Sequence, residues 1–147
     1  RKQTKKHPEI HFANAFIGDY LRLELLSRQG LSSQILDETK GYFEKMEKLT
    51  GTLWENDTPT ASCCHGFASH VTHLYYRDVL GVRSIDAVNR RVVLRFADVP
   101  LTHCSGTIPV GDGAVTVSWR KRDGKFQYTC KAPKGFEVRV EEGEGKR

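Results

Sequence analysis

Between residues 12 and 28 the apolar positions form two helical stripes: Phe12, Ala15, Phe16, Tyr20, Leu23 and Leu26 on one, Ala13, Ile17, Leu21 and Leu25 on the other. Together they cover most of a helix circumference. A helix apolar nearly all round needs neighbours on several sides. The chain shows only two further helical patterns, so part of this surface is expected to lack its cover. Gly30 stops the first helix, and Ser32 or Ser33 starts the second, with Asp37 and Glu38 in a first turn that the macrodipole favours. That second helix carries Ile35, Thr39, Tyr42, Phe43, Met46 and Leu49 on one stripe and is expected to run unbroken to Thr50 and Gly51, forming a short-looped hairpin with the first. A non-periodic stretch from Thr52 to Cys64 leads to a third helix with Phe67, Val71, Leu74 and Tyr75 on one face, ended by Gly81.

After Gly81 the period changes from helical to alternating. Arg91 to Ala97 reads as a first strand; Val115, Val117 and Trp119 alternate with polar residues, as do Phe126, Tyr128 and Cys130, and Phe136, Val138 and Val140 give the last strand. Asp123-Gly124 and Gly111-Asp112-Gly113 are turn signals between such runs. Alternation places Trp119 and Tyr128 on the inward face with Val117 and Phe126. The pattern predicts an α+β chain, with a helical part over 1–82 and an antiparallel β-sandwich over 83–147.

Composition adds limits. The 147 residues make about one average domain, and 38% hydrophobic with 28% charged residues excludes a disordered, collagenous or disulfide-scaffold chain. No run approaches the ~18 apolar residues of a membrane span. The net charge of +5 owes four units to Arg1, Lys2, Lys5 and Lys6, so the body is nearly neutral. Nucleic acid is therefore not an expected partner, since duplex binding requires Lys and Arg grouped on a folded face. Cys63, Cys64, Cys104 and Cys130 include no C-x-x-C pair and read as small buried hydrophobes; neither a metal nor another cofactor is expected. The chain begins at Arg1, with neither an initiating Met nor signal-peptide architecture, and is expected to be a piece of something longer. A periplasmic or secreted location is favoured over a cytoplasmic one.

The most suggestive chemistry lies in Thr52-Leu53-Trp54-Glu55-Asn56-Asp57, a carboxylate beside a tryptophan in a loop between helices. Aromatic faces stack on sugar rings, and an inverting glycosidase pairs a carboxylic acid with a water-activating carboxylate ~6.5–9.5 Å away. Glu55 suits the second role. The competing reading makes Trp54 a core anchor and Glu55 a solvated loop acid. Asp57 is either part of such a site or a turn acid ahead of Pro59. His65 opens the third helix, where the macrodipole disfavours imidazolium and leaves a neutral ring to hydrogen-bond a hydroxyl or carboxylate. His70 and His73 stand three residues apart and read as satisfied or surface histidines rather than metal ligands.

Three blocks in order strengthen the sugar reading: the hairpin from His11-Phe12 to Gly51; Gly51-Thr52-Leu53-Trp54-Glu55; and Ser62-Cys63-Cys64-His65-Gly66-Phe67 leading to Tyr76-Arg77-Asp78-Val79-Leu80-Gly81-Val82. With the later Gly106-Thr107-Ile108-Pro109 and Val115-Thr116-Val117-Ser118-Trp119, the chain resembles the C-terminal end of bacterial α-L-rhamnosidases of the six-hairpin glycosidase superfamily. Phe67 stands where that family has Trp, and Cys64 where a polar residue, often Asn, is usual. The resemblance implies the last helices of an (α/α)6 barrel followed by a β-sandwich, and inverting hydrolysis of terminal α-L-rhamnosides. It makes Glu55 the general base, with Trp54, His65 and Asp57 in substrate-binding places. The family's general acid belongs to an acidic stretch far upstream, so the implied partners are a carbohydrate substrate and the missing upstream barrel, and the piece alone is expected to be inactive. The alternative is a non-catalytic carbohydrate-binding or structural module.

Overall fold

The first helix starts where a side chain ends its own first turn. In the computed structural model, which describes residues 14–141, Asn14 Oδ1 accepts the backbone N–H groups of Ile17 (3.1 Å) and Gly18 (2.7 Å). These are donors with no intrahelical partner at a helix start. Helix α1 accordingly spans Gly18–Arg28, later than its apolar stripes suggest; Phe12 and Ala13 lie outside the described residues. Leu23 and Leu26 on one stripe are buried, while Ile17, Leu21 and Leu25 on the other are 52%, 61% and 59% exposed.

The expected second helix is two helices, α2 (Ser32–Thr39) and α3 (Tyr42–Thr50). Lys40 is extended and Gly41 takes φ +80°, a conformation that costs glycine little. Thr39 Oγ1 donates back to the Ile35 carbonyl at 2.8 Å. The apolar period survives the break because Tyr42 and Phe43 resume it one turn later, which is why the sequence pattern reads as one helix. The third expected helix is also segmented: a 3-10 turn over Gly66–Ser69, helix α4 (His70–Leu74), and a π turn over Tyr75–Val79. Phe67, expected on the inner face with Val71 and Leu74, is 75% exposed. The tighter 3-10 turn rotates it away from the stripe that begins at Val71.

Gly81, at φ +90°, turns the chain from helix to strand; a side chain there would press to within 3.0 Å of the Arg95 carbonyl oxygen. Six strands follow: β1 (Val82–Asp86), β2 (Arg91–Leu94), β3 (His103–Val110), β4 (Gly113–Arg122), β5 (Lys125–Lys131) and β6 (Glu137–Val140). Strand β2 thus stops short of the expected Ala97. Alternation did not reveal β1, because its register shifts between Val82 and Ser84, nor β3, whose inward positions include the small Cys104 and Gly106.

The chain is α+β, with its strands in two three-stranded sheets, β1-β2-β6 and β3-β4-β5. Three of the four strand pairings join strands consecutive in the chain and are antiparallel; β2 and β6 pair in parallel, which corrects a fully antiparallel expectation. Parallel neighbours require a crossover of a dozen or more residues, and here β3, β4 and β5 are that crossover. Val82, Val92 and Leu94 from the first sheet share one hydrophobic cluster with Val115, Val117 and Trp119 from the second. A separate cluster contains Leu23, Ile35, Phe43, Met46, Trp54 and Leu74 of the helical part. Among the described residues no helix is long and apolar enough to cross a membrane.

The π turn joins the two parts. Trp119 Nε1 donates to the Leu80 carbonyl at 3.1 Å, and Tyr76 Oη to the Thr107 carbonyl at 3.2 Å. On the helical side, the buried Asp78 carboxylate accepts Ser27 Oγ (2.8 Å) and Arg77 Nε (3.0 Å), while Arg77 Nη1 meets Glu24 Oε1 at 3.0 Å. Burial opposes the Arg77 charge, but Asp78 and Glu24 outweigh it and hold the guanidinium above its ordinary pKa. Gly106 on β3 admits this close approach: a Cβ there would lie 2.8 Å from Leu80 Cδ2 and 3.1 Å from Tyr76 Cε1. Gly106→Val is therefore expected to cost about 1–3 kcal/mol through overpacking, read as a lowered denaturant midpoint at unchanged slope. An unchanged midpoint would mean that Tyr76 and Leu80 yield freely.

Candidate active-site loop

Residues 52–65 fold as two arms lying side by side. Glu55 N–H donates to the Ser62 carbonyl at 2.9 Å and His65 N–H to the Leu53 carbonyl at 2.8 Å, and Thr52 Oγ1 donates to the Cys63 carbonyl. Ala15 N–H donates to the Glu55 carbonyl at 2.9 Å, tying the segment before α1 to the same arm. The Glu55 backbone is thus bonded on both sides. Extended chain points successive side chains in opposite directions, and Trp54 and Glu55 divide accordingly.

Trp54 goes inward. It is 1% exposed, its indole N–H donates to Thr50 Oγ1 at 2.7 Å, and its backbone N–H reaches Met46 Sδ at 3.4 Å. Within the described residues the ring meets protein on all sides and fastens the loop to α3. Glu55 goes outward and is half-buried; Ser62 N–H lies 3.5 Å from Oε2, and no ion pair engages the carboxylate among the described residues. Asp57 lies beyond, in the loop tip, half-buried, where its backbone carbonyl accepts Lys45 Nζ at 3.1 Å.

His65 belongs to an aromatic group that sequence spacing does not reveal. Its ring centroid is 4.7 Å from that of Phe16 and 6.2 Å from that of Phe67, and the two phenylalanines are 6.5 Å apart. Phe16 is brought there by the Ala15–Glu55 hydrogen bond, across a long interval of chain. His70 is held differently: Nε2 lies 2.8 Å from the Ala15 carbonyl oxygen, and its ring packs near Tyr20 and Phe43. His73 Nε2 instead meets Arg77 Nη1 at 3.4 Å, so the two helix histidines face separate partners. Among the described residues no group of three or more His, Cys, Asp and Glu side chains is arranged to hold a metal ion.

The four cysteines are free. Burial pushes the thiols of Cys104 and Cys130 up, which suits unreactive packing residues; Cys63 is half-buried and Cys64 exposed beside His65. On the β side, Trp119 is 1% exposed, whereas Tyr128, its partner across the ladder, is 45% exposed and leans on Phe96 with ring centroids 5.0 Å apart. Strand β5 is a sheet edge, so Tyr128 shares the inward face without being covered. No protein-family model, no curated protein and no solved structure matches the chain.

Proposed function

We propose that this chain is the C-terminal part of an inverting glycoside hydrolase of the α-L-rhamnosidase type, with Glu55 as its general base. The observation that carries this reading is the Glu55 carboxylate itself: its backbone is hydrogen-bonded on both sides, its side chain is partly open to solvent, and no described cation pairs with it. A water-activating carboxylate needs those properties, since an ion pair would compete with the water it must orient. His65 and Phe67 offer ring faces beside the arms for the apolar side of a sugar, and Trp54 supports the loop from beneath. Asp57 stands at the tip, where it can reach a sugar hydroxyl.

In this reading the helices are the last of an (α/α)6 barrel and the two sheets are the β-sandwich that follows. Preceding helices cover Ile17, Leu21 and Leu25 and bring the general acid. Glu55 accepts a proton from water as its oxygen attacks the anomeric carbon. The glycosidic bond breaks, and the upstream acid protonates the departing oxygen. One displacement inverts the anomeric centre. Proton NMR of the sugar first released from an aryl α-L-rhamnoside by the full-length parent polypeptide is expected to show the β anomer. Release of the α anomer would exclude a base role for Glu55 in a single displacement.

A further inference from the structure

The near-neutral body conceals a divided charge. Residues 14–81 carry 9 Asp+Glu against 6 Lys+Arg, whereas residues 82–141 carry 11 Lys+Arg against 6 Asp+Glu. Part of that excess gathers on the outer face of sheet β3-β4-β5. Because Val115, Val117 and Trp119 of β4 are buried, Thr116, Ser118, Arg120 and Arg122 face the other way. The register then sets Lys131 beside Thr116, Thr129 beside Ser118, and Lys125 beside Arg122. From the other edge β3 adds Thr107, whose hydroxyl lies 3.0 Å from that of Thr116, and Ser105 opposite Ser118.

This face therefore presents Arg120, Arg122, Lys125 and Lys131 among rows of hydroxyls, and no carboxylate stands in those rows. Asp112 and Asp123 lie in the hairpin turns at its ends. Among the described residues none of the four cations forms an ion pair, whereas Lys121, pointing inward, is held by Asp98 at 2.7 Å. Among the described residues, these four cations on an acid-free sheet face leave their charge available to a partner.

We propose that the outer face of β3-β4-β5 binds a carboxylate-bearing polysaccharide, a site independent of Glu55. Side chains on one face recur every ~7 Å along a strand and ~4.8 Å across strands, so the cations are interspersed with hydroxyls. A chain of acidic sugars has that alternation of charge and hydroxyl. Duplex DNA instead carries a charge every ~1.7 Å, and a run of unpaired bases needs successive aromatic platforms, whereas these rows hold the single ring of His103, beside Arg120. The rows also carry no large apolar side chain to enter a bilayer.

The test is binding of the 147-residue chain to polygalacturonate, with dextran, a DNA duplex and phosphatidylglycerol vesicles as comparators. Polygalacturonate is expected to bind with an affinity that falls as salt rises, and dextran not to bind. Combining Arg120→Ser, Arg122→Ser and Lys131→Ser is expected to weaken binding by about tenfold or more, while replacing Lys2, Lys5 and Lys6 with Ser leaves it within about twofold. Should the triple variant fail to fold, Lys125→Glu with Lys131→Glu on the edge strand tests the same face. Absence of polygalacturonate binding, unchanged affinity in the face variants, or tighter binding to the duplex or vesicles would overturn the proposal. Because Glu55 takes no part, binding and hydrolysis fail separately.

Discussion

Glu55→Gln, in the full-length polypeptide, is expected to lower kcat toward an aryl α-L-rhamnoside by about 10²–10⁴-fold, the usual contribution of a positioned general base. Glutamine keeps the shape and hydrogen-bonding reach of the side chain but cannot take the proton of the attacking water. Little else should change. The Glu55 backbone bonds to Ser62 and Ala15 do not involve the carboxylate, and no described ion pair is lost. KM and the unfolding midpoint are therefore expected to stay near those of the parent, which separates a chemical defect from a structural one. Turnover within about threefold of the parent would remove Glu55 from the mechanism.

Trp54→Ala is expected to produce the opposite pattern, a loss of about 3–5 kcal/mol in folding stability, measurable in the 147-residue chain without any substrate. The ring is among the largest fully buried side chains, and its truncation would leave a cavity against Met46 and remove the indole donor from the Thr50 hydroxyl, which keeps its bonds to the Met46 carbonyl and Thr52. Against a total stability of about 5–15 kcal/mol this is a large fraction. Trp54→Phe separates the two contributions: it keeps most of the volume and loses the indole hydrogen bond, worth about 0.5–1.5 kcal/mol. If Trp54→Ala left the denaturation midpoint unchanged, the ring would not be the anchor of the loop, and it would be free to stack on a sugar. The two substitutions concern adjacent residues, and their contrast tests whether alternation along the arm assigns one to stability and its neighbour to chemistry.

The division of labour at Trp54 and Glu55 shows how far residue order carries the argument. The pairing of an indole with a carboxylate in an interhelical loop was legible, and so were both readings of it. Which side chain faces solvent was not, because that depends on the Glu55–Ser62 and His65–Leu53 hydrogen bonds between the arms. Phe16 was legible only as a helix-stripe residue; its place over the His65 ring follows from a contact between segments distant in the chain. Phe67 fitted a helical spacing that the 3-10 turn does not follow.

For the fold, periodicity alone identified the helical and strand regions, the stop at Gly81, the Asp123-Gly124 hairpin, and the doubly apolar character of α1, because these depend on side-chain spacing of 3.6 or 2 and on the few residues that tolerate positive φ. The break at Gly41, the bulged β1, the parallel seating of β6 beside β2 and the collection of four cations on one sheet face came only with tertiary structure. Each is a relation between segments, set by which strand edge is vacant and which face is covered, and local spacing contains no term for either.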